Sequence, residues 1–210
     1  MIPPLPRLYA IIDPAQTGEI APAEIARALL AAGVRLIQYR DKRANSREFL
    51  RAASEIAGQV RDASAFFIVN DRADVARALG VHGVHLGQED LPVHLARRVL
   101  HPGQWIGCST HTLDQVIEAD QTSADYIAFG PVFPTRSKEN PDRVVGLDGL
   151  SRARQATRKP LVAIGGITLA NARATLEAGA DSVAVISDLI GAPDVTARAH
   201  EFSSVLDNGE

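Results

Sequence analysis

Eight short apolar runs, each followed by a longer segment of helical periodicity, fill this chain from end to end and leave few ways to fold it. The runs are RLYAIID from Arg7, VRLIQYR from Val34, AFFIV from Ala65, GVHL from Gly83, QWIGC from Gln104, DYIAFG from Asp125, PLVAIGG from Pro160 and DSVAVIS from Asp181. Between them, segments such as APAEIARALLAAG, SREFLRAASEIAGQV and TLANARATLEAGA space Ala and Leu to bury one helical face. Ser46, Thr112 and Thr168 are expected to cap helices, and Gly33, Gly80 and Gly179 to end them. Strand and helix in strict alternation imply parallel strands joined by crossover helices. Eight such units predict a single (β/α)8 TIM barrel domain over residues 1–210, near the lower size limit of that fold. A doubly wound sheet would compete, but no Gly-x-Gly-x-x-Gly follows the first run.

The usage is that of a globular chain, with 46% hydrophobic and 22% charged residues among 210. A net charge of −3 offers no basic field for nucleic acid or a membrane surface, so cations are expected to act locally. The single cysteine, Cys108, excludes an internal disulfide framework. The opening MIPPLPRLYAIIDP has neither the basic nor the apolar segment of a signal peptide, and a cytoplasmic protein is expected. Such a chain is compatible with a homo-oligomer, and its partners are expected to be small molecules.

In a barrel, chemistry belongs at the C-terminal ends of the strands. There the chain places QYRDK, NDR, GQED, CSTH, PTRSK, GGIT and SD. Alternation from Val34 puts Val34, Leu36, Gln38 and Arg40 on one face, with Ile37 and Tyr39 on the other; Lys42 follows at the inward parity. Asp71 and Asp90 end successive strands. Singly, each reads as a helix cap; opposite two cations, the pair reads better as a Mg²⁺ site that implies a phosphorylated ligand. Gly165, Gly166, Ile186 and Ser187 form a second anion site where barrels commonly bind phosphate, with a helix starting at Thr168. The long connection from Gly130 to Gly146 carries Thr135, Ser137 and Lys138, suited to phosphate oxygens. His111 reads either as an acid or base or as a rim residue, and His85, inside a strand, as a structural histidine.

The ordered series QYRDK, VNDRADVA, GVHGVHLGQEDLP, IGCSTHT, DYIAFGPVFPTRSK, AIGGIT and AGADSVAVIS closely resembles the thiamine phosphate synthase family over nearly the whole chain. The resemblance implies transfer of a hydroxymethylpyrimidine group from its diphosphate to a phosphorylated hydroxyethylthiazole or its carboxylated form. It implies Mg²⁺ on Asp71 and Asp90. Arg40, Lys42, Ser109 and Lys138 would be catalytic, holding the leaving pyrophosphate with Thr135 and Ser137. Gln38 and Asn70 would sit near the pyrimidine, and Gly166, Ile186 and Ser187 would hold the thiazole phosphate. Asp188, beside that second phosphate, departs from the family pattern. A thiazole tautomerase with His111 as acid or base ranks second, and a non-catalytic phosphate sensor third.

Overall fold

The computed structural model describes residues 2–18, 20–135 and 142–207. Its eight strands are β1 (Leu8–Ile12), β2 (Leu36–Tyr39), β3 (Phe66–Asn70), β4 (Gly83–Leu86), β5 (Trp105–Thr110), β6 (Tyr126–Phe129), β7 (Leu161–Ile164) and β8 (Ser182–Val185). Each pairs in parallel with the next, and β8 returns to β1 through Tyr9 and Ala184, so the sheet closes into a barrel in sequence order. Each expected run overlaps its strand, although β3 continues one residue past AFFIV, to Asn70, and β5 continues two past QWIGC, to Thr110. No helix among the described residues is long and apolar enough to cross a membrane.

Strand periodicity divides the apolar residues between two cores. Ile37, Tyr39, Phe67, Val69, Val84 and Ile106 point outward and pack under the helices. Tyr9, Ile11, Leu36, Ile68, Tyr126 and Val162 point inward, and Leu5 and Trp105 belong to the same inner cluster. Val34 departs from the expected inward parity: β2 begins only at Leu36, and Val34 packs in the outer layer. Truncating a fully buried residue of either layer, such as Ile37, costs about 2–5 kcal/mol.

The helices show why local sequence places the strand ends. The helix α1 (Pro22–Ala31) begins with proline and runs into Gly33, whose φ of 84° ends it before β2. In α2 (Ser46–Asp62) the cap is Asn45, one residue before the expected Ser46. Its side chain accepts from the Arg47 and Glu48 N–H groups, and Glu48 accepts from the Asn45 N–H in return, a complete capping box. The short α3 (Ala73–Leu79) and α4 (Val93–Val99) follow β3 and β4. Thr112 caps α5 (Leu113–Asp120) as expected.

The connection from β6 to α6 (Gly146–Ala156) is pinned where it leaves the barrel. Val132 and Phe133 donate N–H to the Ile164 and Gly165 carbonyls, and Val145 and Gly146 donate back to Pro131 and Val132. Thr168 caps no helix, because α7 (Ala172–Glu177) starts four residues later. Residues 168–171 form a turn closed by the Thr168 N–H on the Asn171 side-chain oxygen, at 2.8 Å. The chain finishes with α8 (Ser187–Ile190) and α9 (Val195–Asp207).

Candidate active site

One cavity opens at the C-terminal ends of the strands. It is lined by Gln38, Arg40, Lys42, Asn70, Asp71, Asp90, Ser109, His111, Thr135, Gly165, Gly166, Ile186 and Ser187. The barrel thus gathers every candidate site residue except Ser137 and Lys138, which lie outside the described residues.

The β2 charge run divides by function. Asp41 closes its own turn by accepting the Arg43 and Ala44 N–H groups, and Arg43 is solvent-exposed. Arg40 and Lys42 reach the cavity instead. Arg40 is ion-paired with Asp13, a buried carboxylate after β1 that also accepts the Ala15 N–H. Asp13 was not legible as a site residue, since its partner is 27 positions away and only barrel closure brings them together.

Neither Asp71 nor Asp90 caps a helix: Arg72 and Pro92 hold those cap positions without side-chain hydrogen bonds. Asp90 accepts the Gly87 N–H at 2.7 Å, and Asp71 pairs with Lys42. Burial, and then the facing Asp90 carboxylate, push the Asp71 carboxyl up to about 6 despite Lys42. For Asp90 burial works the other way from the outcome: the Asp71 carboxyl and the Gly87 N–H outweigh it and hold Asp90 below the ordinary range. The two carboxylates therefore compete for one proton. Asp71 also sits at a φ of 61°, a left-handed conformation that ordinarily costs a non-glycine residue about 1–2 kcal/mol.

A pair held together against repulsion and strain is suited to a cation. The described residues contain no group of three or more His, Cys, Asp or Glu able to hold a metal. Two carboxylates do fit Mg²⁺, which completes its shell with water and phosphate oxygens, so this pair suits a cation arriving with a phosphorylated ligand.

On the opposite rim the groups are mostly backbone. Gly165 and Gly166 have φ values of 95° and 64°. A Cβ on Gly165 would lie 2.5 Å from Pro131 Cβ, and one on Gly166 would lie 2.4 Å from the Pro134 carbonyl oxygen. These glycines are required by the close approach of the β6 connection, a reason the expected anion site did not include. The charge of Asp188 has a structural partner: its carboxylate accepts the Leu169 N–H at 2.9 Å and fixes the neighbouring loop.

Beneath the rim lies a polar floor. Gln38 Nε2 donates to the Tyr9 hydroxyl at 2.7 Å, and the Tyr9 and Tyr126 hydroxyls are 2.9 Å apart. Tyr126 lies 3.1 Å from His85 Nδ1, and His85 Nε2 lies 2.8 Å from Ser109 Oγ. Tyr9 and Tyr126 were not singled out from the sequence, although both fall at inward parity in their strands. By contrast, the Asn70 amide makes no hydrogen bond among the described residues and faces the cavity.

Fold and site together define a (β/α)8 barrel with an ion-lined mouth on one side and a glycine-built rim on the other. A family model described as thiamine monophosphate synthase matches residues 8–189. A thiamine-phosphate synthase of Koribacter versatilis is 48% identical over 206 residues, covering 96% of each chain. One from Methanocella arvoryzae is 43% identical, covering 95% of this chain and 94% of its own. The solved thiamine phosphate pyrophosphorylase of Pyrococcus furiosus superposes with a TM-score of 0.88 at 38% identity, covering 96% of both chains. The chain belongs to the thiamine monophosphate synthase family and is an enzyme, a transferase.

Proposed function

We propose that this enzyme moves the hydroxymethylpyrimidine group from its diphosphate to the ring nitrogen of hydroxyethylthiazole phosphate, forming thiamine phosphate and releasing pyrophosphate. With the carboxylated thiazole, carbon dioxide would leave as well. The observation that carries the reading is the cavity itself, which sets the charged rim of β2–β4 and the glycine rim of β7–β8 around one opening.

Bond cleavage leaves positive charge on the pyrimidine methylene and added negative charge on pyrophosphate. Arg40 and Lys42, with Ser109 and Thr135, face the side where that negative charge would grow. Preorganised donors of this kind are typically worth about 10²–10³ in rate each. Lys138 and Ser137 join them in the same proposal. Mg²⁺ held by Asp71 and Asp90 would neutralise part of the diphosphate charge. Gln38 and Asn70 would orient the pyrimidine, while Gly166, Ile186 and Ser187 would anchor the thiazole phosphate. Holding the nucleophile by a separate phosphate turns the second step into a positioned, effectively unimolecular attack before water intervenes. A cytoplasmic setting belongs to this reading.

One observation favours thiazole isomerisation as a second reading. His111 Nδ1 donates to the Gly130 carbonyl at 2.6 Å, which leaves Nε2 able to accept a proton at the cavity. Pyrophosphate release from the pyrimidine diphosphate decides between them, measured with and without thiazole phosphate and with Mg²⁺ or EDTA. Release that needs both metal and thiazole, with thiamine phosphate formed, establishes the synthase reaction. No release under any condition rejects it and leaves isomerisation.

A further inference from the structure

We infer that Tyr9, Tyr126 and His85 are positioning residues that, with Gln38, form a one-way hydrogen-bond chain and make the Ser109 hydroxyl a donor toward an anion in the cavity. The chain draws one residue from each of five strands, β2, β1, β6, β4 and β5, and its first four members are buried. The inference rests on the proposed reading only in taking that anion to be the diphosphate.

The direction follows from counting protons. A phenol has one hydrogen, and a neutral imidazole has one N–H and one bare nitrogen. Gln38 Nε2 donates to the buried Tyr9 hydroxyl, whose one other partner among the described residues is Tyr126, so satisfying the Tyr9 hydrogen sends it to Tyr126 and the Tyr126 hydrogen to His85 Nδ1. With His85 as the neutral imidazole, its proton then lies on Nε2 and is donated to Ser109 Oγ. Ser109 accepts there and keeps its own hydrogen for the cavity. Turning the Gln38 amide over would reverse every bond: Ser109 would donate to His85 and show only lone pairs to the cavity. In a cavity that Arg40 and Lys42 also line, where an acceptor-rich anion is drawn in, only the first polarity is complementary.

A second feature supports the contact between Tyr126 and His85. Gly107, in the middle of β5, leaves the space in which they meet: a Cβ there would lie 2.1 Å from Tyr126 Cζ and 2.4 Å from His85 Nδ1. The two rings stack at 5.6 Å with 26° between their planes. Burial pushes the pKa of both tyrosines up, so each remains a neutral phenol with a hydrogen to pass on.

The test is a double-mutant cycle of Tyr126→Phe and Ser109→Ala with NMR of nitrogen-labelled histidine on the full chain. Tyr126→Phe keeps the ring and is expected to lower kcat about 10-fold with little change in either KM, because one charge-facing donor loses its orientation. In the Ser109→Ala background the same change is expected to have almost no further effect, since the chain then ends on nothing. NMR of the unliganded wild type is expected to show the His85 proton on Nε2, and Tyr126→Phe to shift it partly to Nδ1. Additive effects on kcat, or a wild-type proton on Nδ1, would overturn the inference. Melting temperature followed in parallel separates loss of fold, and a Tyr9→Phe variant repeats the test one link further away. Because the NMR needs no substrate, an expected tautomer with no thiamine phosphate formed would count against the proposed reaction and leave the chain's polarity intact.

Discussion

The two halves of the cavity rim are built on different principles. From β1 to β4 the rim consists of ionised side chains held against their preferences: Asp13 buried under Arg40, and Asp71 strained and facing Asp90. From β7 to β8 it consists largely of backbone, with Gly165 and Gly166 fitted against the pinned β6 connection. In the proposed reading, charge in the first half serves ligand binding at the expense of stability, whereas shape in the second serves folding and binding together. A substitution should therefore separate the two properties on one side and couple them on the other.

The largest effect is expected at Asp71. Asp71→Asn should lower pyrophosphate release about 10³-fold, the scale of a lost electrostatic anchor. In EDTA the same variant should melt at a higher temperature, because it removes carboxylate repulsion and because asparagine tolerates positive φ. The pH dependence has a definite sign. The folded-state pKa of Asp71, about 6, lies above its ordinary value of 3.8, so its proton favours the fold. That contribution is complete below the ordinary value and is lost as pH rises through about 6; the Asp71→Asn variant should show a flatter stability profile over this range. Turnover near wild type, or a lower melting temperature in EDTA, would break the contrast.

Gly166→Ala should behave in the opposite way. Its φ and its contact with Pro134 predict a loss of about 1–3 kcal/mol in chemical denaturation, with weaker binding of thiazole phosphate in parallel. Unchanged stability with weakened binding would sharpen the role of this glycine to anion approach alone. Arg43→Ala is expected to do least: an exposed residue outside the cavity should shift stability by no more than about 0.5 kcal/mol and leave kcat/KM unaltered.

The sequence made the alternation of elements legible because barrel strands carry their identity locally, in apolar runs bounded by glycine and polar residues. The residues at strand ends were legible for a related reason: fold position alone brings Arg40, Asp71, Asp90 and Ser109 to one mouth. What escaped were the pairings that depend on stagger around the barrel. Tyr9 and Tyr126 are 117 positions apart, and nothing local in either strand announces that their hydroxyls meet. Gly107 was a trace of that meeting, a glycine inside a strand where a side chain would have blocked it. The caps at Ser46 and Thr168 failed locally, because Asn45 completes a reciprocal pair with Glu48 and because Asn171 turns the chain before α7 can begin.

Among the described residues, the inner cluster of Leu5, Leu36, Ile68 and Trp105 fills the barrel below the polar floor, so the cavity opens at the C-terminal ends of the strands. In the proposed reaction, two substrates and two products would then share that opening. Traffic through it would have to be ordered, with the occupant seated deepest entering before its neighbour and leaving after it.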